Sequence, residues 1–361
     1  MSSNRYQTLK IKEIVKETPD TITIHLKQPL FRKIPYYAGQ FLTLIVKDAN
    51  GKKYRRAYSL CSAPHLDSTL AVTVKRVEGG VVSNLLNDTL KGGEKLEIME
   101  PMGNFVLRTH PDNNRHIILF GGGSGITPLM SMLKVALSYE QNSVVSLIYT
   151  CRDEESTIFK NQLDKLKEKH GDRFNLIYSL TQPKTDLSQK ENHLSTYFKG
   201  RITKEFIKTT LEKLPNIKER IFYLCGPEGM MDTVEETLSE LNVDADTVHK
   251  ENFFAPVNSD DENGEIVPNG RKTVKILLNG EEMEIAVDAK KTILDAALDQ
   301  EIDMPYSCQS GLCTACRGLC LSGKVTMDSN EALSEAEITE GYILTCQAHP
   351  LTDDVKVDMD A

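Results

Sequence analysis

The chain has 361 residues, 40% hydrophobic and 26% charged, a composition that excludes global disorder, a collagen-like repeat and a long coiled coil and leaves room for two or three domains. Its net charge of −9 argues against a general nucleic-acid binder, because phosphate contacts need clustered Lys and Arg. No uncharged apolar run approaches the ~18 residues of a membrane span, and the start MSSNRYQTLKIKEIVKET lacks a signal-peptide core, so a cytoplasmic protein without membrane insertion is expected.

Residues 6 to 108 carry short segments of period-2 alternation, TLKIKEIV, TITIHL, QFLTLIV, TLAVTVKRV and EKLEIM, punctuated by Pro, Gly and Asp or Asn. These predict an antiparallel β-barrel domain over residues 1–110. From Asn114 apolar runs alternate with helical stretches: HIILF then TPLMSMLKVALSY, VVSLIY then STIFKNQLDKLKEK, FNLIYSL, and IFYLC then EGMMDTVEETLSEL. That texture predicts an α/β domain with a parallel sheet over residues 111–254. The Pro-, Gly-, Asn- and Asp-rich stretch 255–271 reads as a linker. Beyond it, VKILLNG and EMEIAV form a predicted hairpin around Asn279-Gly280, and TILDAALDQ a short helix. This last module, 272–361, holds 17 acidic and 7 basic residues, so nearly all of the charge imbalance lies there.

Five of the eight cysteines fall between Cys308 and Cys346, which without an export signal points to metal or redox ligation rather than disulfides. Four residues separate Cys308 from Cys313, two separate Cys313 from Cys316, and 29 separate Cys316 from Cys346, the plant-type [2Fe–2S] spacing. In such a loop three thiolates surround the cluster, Gly311 lets the backbone curl close, and neighbouring amides donate to sulfur. A structural zinc site is the alternative, although zinc ribbons use two close cysteine pairs and only one is present. Cys320 lies outside the spacing and reads as a buried small side chain. Through CQSGLCTAC and the later LTC, residues 272–361 resemble a plant-type ferredoxin domain. The resemblance implies an α+β β-grasp fold with Cys308, Cys313, Cys316 and Cys346 as ligands.

RRAYSL, residues 55–60, lies between the predicted barrel strands. Alone it could be an ordinary strand with Arg56 solvated and Tyr58 in a core. An Arg two residues before a Tyr-Ser pair nevertheless supplies a guanidinium fork for phosphate, an aromatic face for an isoalloxazine and a polar group near its reactive nitrogen. A second signal is Gly79-Gly80-Val81-Val82-Ser83, preceded by Lys75-Arg76 and followed by Asn84. It reads as a helix start capped by Ser83, whose amides and close-approach glycine could cradle a pyrophosphate; a plain capped helix is the alternative. Together the two segments resemble the ferredoxin–NADP reductase superfamily. The resemblance implies that Arg56 binds cofactor phosphate, Tyr58 stacks on the flavin, Ser59 approaches the ring as a catalytic residue, and Ala57, Lys75, Gly80, Val82 and Ser83 line the cofactor. FAD is the expected flavin, with FMN, used by one branch of the same domain order, as the alternative.

HIILFGGGSGITPLMSML places Gly121, Gly122, Gly123 and Gly125 between a predicted strand and a helix, with Pro128 near the helix start. The positions do not register with G-x-G-x-x-G. The stretch resembles the superfamily's nicotinamide-nucleotide loop, which implies Gly122, Gly123, Gly125 and Thr127 at the cofactor. The later Cys225-Gly226-Pro227 turn matches the family's cysteine-glycine-proline turn and lies where ligands bind in open parallel sheets. Cys225 is thereby expected to pack beside the nicotinamide and orient the hydride donor; a buried structural cysteine is the alternative. Arg152, after the second strand of this domain, could pair with a 2′-phosphate or be a solvated loop residue. Ser179, Thr181 and Arg201 correspond to polar and basic residues of the family after the next strand. Glu251-Asn252-Phe253-Phe254 ends the domain where relatives place a residue flanking the flavin, although either Phe could be core.

NADPH or NADH delivers two electrons as a hydride, whereas a [2Fe–2S] cluster accepts one at a time, and a flavin can take two and release singles. No Ser-His-Asp or paired-carboxylate arrangement stands out, and the eight His are scattered. The chain therefore reads as an enzyme, an NAD(P)H-dependent oxidoreductase. Its order of flavin, nucleotide and ferredoxin domains resembles the reductase components of multicomponent oxygenases, most of all those of the phenylacetyl-CoA epoxidase and steroid hydroxylase kinds. That resemblance implies a protein electron acceptor, an oxygenase, as partner. A Rieske oxygenase reductase, a stand-alone ferredoxin- or flavodoxin-type reductase and a non-catalytic redox sensor are the other readings. The acidic last module suggests docking against a basic patch.

Overall fold

In a computed structural model of the chain, the described residues are 6–29, 33–186, 195–253 and 270–361. They form two compact units, the first ending at Phe253 and holding everything before it but Arg55–Ala57 of one strand, which group with the second. Most of the expected linker, 255–269, lies outside the described residues.

The first unit begins with β1 (Tyr6–Thr18), β2 (Thr21–Lys27), β3 (Phe41–Lys47), β4 (Lys53–Ser59), β5 (Thr69–Lys75), α1 (Val81–Thr89) and β6 (Lys95–Met99). The strands hydrogen-bond in the order β4-β3-β6-β1-β2-β5. Immediately after β4, Leu60 bridges to Val72 and Cys61 N donates to Ala71 O at 2.9 Å, so the two ends of the sheet meet and the barrel closes. Alternate side chains fill it, among them Ile24, Leu26, Leu42, Leu44, Leu70 and Val72. RRAYS, expected between strands, is itself most of β4, because its alternate residues serve both faces of the sheet.

The chain continues with β7 (His116–Gly122), α2 (Ile126–Tyr139), β8 (Val144–Cys151), α3 (Lys160–His170), β9 (Phe174–Leu180), β10 (Thr196–Lys199), α4 (Lys204–Lys213), β11 (Arg220–Cys225), α5 (Glu228–Glu240) and β12 (Val248–Glu251). All strands are parallel in the order β10-β9-β8-β7-β11-β12. Leu129 and Leu133 of α2 and Leu163 of α3 cover one face; Ile207 and Leu211 of α4 and Val234 and Leu238 of α5 cover the other. The strand order reverses between β7 and β11, which puts the glycine loop and the Cys225 turn at one crevice. Two elements depart from expectation. Helix α4, capped by Thr203, has no clear signal in the sequence, and α3 starts at Lys160 rather than Ser156 because Phe159 before it is left-handed, with φ 62°.

Helix α2 fastens the sheet to the barrel. Ser131 Oγ donates to Ser62 O at 2.5 Å, and Lys134 Nζ donates to Cys61 O at 3.2 Å and pairs with Asp67 at 3.1 Å. From the other side Tyr223 OH donates to Val106 O at 3.1 Å. At the end of α2 the fully buried Glu140 receives Arg115 Nε and Nη2 at 3.1 and 2.7 Å, while Arg115 Nη2 also donates to Arg108 O. This fork ties the connecting segment between barrel and sheet to the helix.

The second unit contains β13 (Lys272–Leu278), β14 (Glu281–Val287), α6 (Ile293–Asp299), β15 (Arg317–Ser322), β16 (Val325–Met327), α7 (Glu335–Glu340), β17 (Tyr342–Leu344), β18 (Ala348–Pro350) and β19 (Val355–Asp358). Its sheet runs β14-β13-β19-β15-β17 with β13 and β19 parallel, beside a small β16-β18 pair, and α6 packs Ile293, Leu294 and Ala297 into its core. This is the expected β-grasp. The hairpin turn has φ 56° at Asn279 and 81° at Gly280, the signature of a tight turn matched to strand twist. Both turn amides donate to Asp360 at 2.8 Å.

Burial alone would raise the Glu140 carboxyl, but hydrogen bonds from Arg115, Asn113 and Ser143 overcome it and hold the group below its ordinary 4.5. Its contribution to stability is therefore present above that value and lost as pH falls through the lower folded one. Glu140→Gln leaves Arg115 without its counter-charge; urea unfolding at neutral pH should show a loss of about 3 kcal/mol, with the acid limb of the stability profile flattened.

Candidate functional site

Four elements converge on the crevice between barrel and nucleotide sheet: the end of β4, the glycine loop, and the ends of β11 and β12. Cys225 pairs in register with Glu251, and Ser59 Oγ lies 3.5 Å from Glu251 Oε2. One carboxylate thus faces the expected catalytic serine of the barrel and the expected nicotinamide-side cysteine of the sheet. Burial, then the Glu251 charge, pushes the Cys225 thiol well above its usual range. A thiol held neutral packs and orients; it is a poor nucleophile. The sequence places Glu251 at the domain end without a role, because only the β11-β12 pairing reveals its position. Phe253 is 46% exposed and so is not core, while Phe254 lies outside the described residues.

The glycine loop is set by a backbone constraint. A Cβ on Gly125 would lie 2.0 Å from Cys225 O, closer than any side chain permits, so only glycine lets the loop lie against the cysteine turn. Gly122 ends β7, Gly123 follows with φ 53°, and Gly226 and Pro227 lead into α5. Thr127 is buried in the first turn of α2 and donates to Ser124 O at 3.0 Å. Arg152 is exposed at the carboxyl end of β8, its Nε 3.5 Å from Asp153. Thr181 and Arg201 lie beyond β9 and β10 respectively, half-buried and exposed. Ser179 is different: it sits inside β9, fully buried, and donates to Gly200 O at 2.7 Å. Its hydroxyl is spent on the sheet, which corrects its placement after the strand.

On the barrel, Arg56, Ala57 and Tyr58 are half-buried and Ser59 is buried. Arg56 Nη1 donates to Arg55 O at 2.7 Å and makes no ion pair among the described residues, leaving guanidinium N–H groups for a phosphate. Lys75 lies 3.7 Å from Asp20, and its charge is felt by Cys151 at the end of β8. The expected Ser83 cap is corrected: Gly80 is the N-cap of α1 and contributes no side chain, while Ser83 sits one turn inside and accepts from Val77 N at 3.0 Å. Val82 and Ser83 are buried. The first-turn amides of α1 therefore lack a side-chain cap, which suits a pyrophosphate. Arg56 and this uncapped helix start fit a flavin nucleotide.

In the second unit the four spaced cysteines pair, Cys308 with Cys313 and Cys316 with Cys346. Among the described residues no three His, Cys, Asp or Glu side chains gather as they would around a single metal ion; two thiol pairs suit two irons. The Cys313 hydrogen bond, then Ser310 and Leu312 amides, holds the Cys308 thiol well below its usual range against the opposing effect of burial. Ser310 N lies 3.4 Å from Cys308 Sγ, and Gln347 Nε2 lies 3.7 Å from Cys346 Sγ. Gly311 has φ 74°, and a Cβ there would meet Ser329 Oγ at 2.8 Å, so the loop can curl only with glycine. This amide-rich, thiolate-favouring loop fits a [2Fe–2S] cluster. Cys320 is half-buried rather than buried, and its Sγ donates to Ser322 O at 3.3 Å, across the register shift that β15 makes against β19 between these two residues.

The sequence matches an oxidoreductase FAD-binding domain over residues 8–107, an oxidoreductase NAD-binding domain over 119–236 and a 2Fe-2S iron-sulfur cluster binding domain over 276–351. It is 34% identical to one subunit of the 1,2-phenylacetyl-CoA epoxidase of Escherichia coli (strain K12), across 99% of this chain and 98% of the relative. It is 35% identical to the ferredoxin reductase component of 3-ketosteroid-9-alpha-monooxygenase of Rhodococcus rhodochrous, across 98% and 97%. Among solved structures, phthalate dioxygenase reductase, a modular structure for electron transfer from pyridine nucleotides to [2Fe–2S], superposes with a TM-score of 0.61 at 26% identity, covering 98% of each chain. Among the described residues no helix is long and apolar enough to cross a membrane.

Replacing any one of Cys308, Cys313, Cys316 or Cys346 by Ala should abolish the visible absorption of the cluster while leaving flavin content intact; Cys320→Ala should leave both spectra as in the parent.

Proposed function

Because this chain belongs to the family of reductases that join FAD-binding, NAD-binding and [2Fe–2S] domains within the ferredoxin–NADP reductase superfamily, we propose that it draws electrons from NAD(P)H for an oxygenase of the phenylacetyl-CoA epoxidase kind. The observation that carries the reading is the meeting of Ser59 and Cys225, from two different domains, on the single carboxylate of Glu251. Such a junction is useful where two planar redox groups must be stacked between a barrel and a nucleotide-binding crevice. Likeness along the full chain to the phenylacetyl-CoA epoxidase relative supports the choice of partner.

When bound, FAD supplies the step from a two-electron hydride to the single electrons that a [2Fe–2S] cluster can take. The rest is positioning by the chain. Arg56 and the α1 amides would hold the flavin phosphates, Tyr58 would offer its ring to the flavin, and Ser59 with Glu251 would hold a proton beside it. Gly125 and Cys225 bring the nicotinamide pocket against that edge, with Cys225 buried and neutral so that it excludes water without reacting. Arg152 and Thr127 serve the coenzyme further along the crevice. In the second unit the amides around Cys308 and the carboxamide of Gln347 stabilise thiolate charge.

Anaerobic addition of NADPH or NADH to the purified holoprotein should bleach flavin and cluster bands together; no bleaching with either coenzyme would overturn the reading. Ser59→Ala should slow flavin reduction by about 10²-fold in stopped flow. With 17 acidic and 7 basic residues in the last module, turnover with a phenylacetyl-CoA epoxidase oxygenase should fall as ionic strength rises, and a flat salt profile would remove the electrostatic part of the docking.

A further inference from the structure

The carboxyl ends of β8 and β9 are braced into one rim. The strands end in register, Cys151 opposite Leu180, and pairing continues past them, Thr181 N donating to Cys151 O at 3.0 Å and Gln182 N to Arg152 O at 2.7 Å. Further out the Glu154 carboxylate takes over, accepting from Lys184 N at 2.9 Å, from Thr185 N at 3.2 Å and from Thr185 Oγ1. Inside the first loop Asp153 N donates to Ser156 Oγ at 3.0 Å and Ser156 N to Asp153 Oδ1 at 2.9 Å. Neither loop can move its charges without breaking several of these bonds.

The charges of this rim are committed to one another. Its two cations, Arg152 and Lys184, stand against three carboxylates, Asp153, Glu154 and Glu155, a surplus of one negative charge over residues 152–155 and 181–185. Arg152 Nε and Lys184 Nζ lie 3.5 and 3.9 Å from the same Asp153 Oδ2, and Lys184 Nζ is 2.6 Å from Glu155 Oε2. The Asp153 side chain is 7% exposed and that of Glu155 65%, so it is the Glu155 charge that an incoming ligand meets. Arg201, past β10, belongs to a strand two places away from β8 in the sheet. In an open parallel sheet with a glycine loop, the adenosine ribose of a dinucleotide reaches the end of the second strand, where an acid suits a free 2′-hydroxyl and an arginine a 2′-phosphate. Both residue types are present on this rim, and their pairing decides between them.

We propose that the rim selects NADH over NADPH, with Glu155 as the residue that sets the preference. The inference deepens, and rests on, the reading that a nicotinamide coenzyme binds in the crevice. A 2′-phosphate brings roughly two further negative charges at neutral pH to a surface already in surplus. Its natural partners, Arg152 and Lys184, must then be drawn off Asp153 and Glu155, and the braced loops cannot carry the acids aside. A free 2′-hydroxyl makes no such demand, because it can donate to a carboxylate. Selection of this kind works by repelling the wrong ligand, and salt weakens it.

The test uses full-length holoprotein, the parent and the variants Glu155→Gln and Glu155→Arg, each checked for flavin and cluster content. Anaerobic stopped flow over a range of NADH and NADPH concentrations gives the second-order constant for flavin reduction by each. In the parent the constant for NADH should exceed that for NADPH by about tenfold or more, the size of one like-charge contact near a protein surface. Glu155→Gln should narrow this ratio about threefold and Glu155→Arg about tenfold, through tighter NADPH binding and not a faster limiting rate. Adenosine 2′,5′-bisphosphate, which carries the extra phosphate without the nicotinamide, should gain on 5′-AMP as an inhibitor in the same order. Raising ionic strength should narrow the parent's ratio. A parent that takes NADPH as well as NADH, or a ratio within about twofold of the parent's in both variants, would overturn the proposal. Should neither coenzyme reduce the parent's flavin, the proposed function fails instead.

Discussion

The first unit depends on one close approach. Gly125 lies so near the Cys225 carbonyl that no side chain could stand between them. With this contact the glycine loop and the cysteine turn form a single floor at the point where the strand order reverses, and α2 leaves that floor in the direction that lets Ser131 and Lys134 grip the barrel. Without it, Ser59 and Cys225 would have no reason to share Glu251. A backbone contact between two loops of one domain thereby sets the registration of two domains.

Much of this architecture is legible in the chain. Period-2 alternation announces the barrel strands, and alternating apolar runs and helices announce the parallel sheet. The Asn279-Gly280 dipeptide announces a turn with positive φ at both positions, as found. Elements that resist reading do so for physical reasons. Helix α4 buries only a narrow face, Ile207, Thr210 and Leu211, too weak a stripe to stand out. The start of α3 is misplaced from sequence because left-handed Phe159 is imposed by tertiary packing and has no local signal. Ser83 looks like a cap because Ser is a good one, but Gly80 ends the preceding turn three residues earlier.

The residues with chemical roles divide in the same way. Spacing alone singles out the four cysteines proposed as cluster ligands, since a tight loop leaves its positions in the sequence, and the motif around Tyr58 singles out the strand proposed to hold the flavin. Glu251 is silent. It acquires its meaning from the neighbouring parallel strand, a relation that becomes visible only when the sheet is assembled. Ser179 shows the converse, a residue type suited to a ligand whose hydroxyl is consumed by the backbone just past the next strand.

The three cysteines of the first unit share one condition. Burial lifts the thiols of Cys61 and Cys151 to about 11 and that of Cys225 well above the usual range, so at neutral pH almost none of their sulfur is anionic. Peroxide and alkylating agents act on the anion and need access. The flavin half is accordingly chemically quiet even though a reduced flavin is a ready source of peroxide in air. Sulfur chemistry, whether damage or signalling, is left to the module that already commits its thiolates to iron.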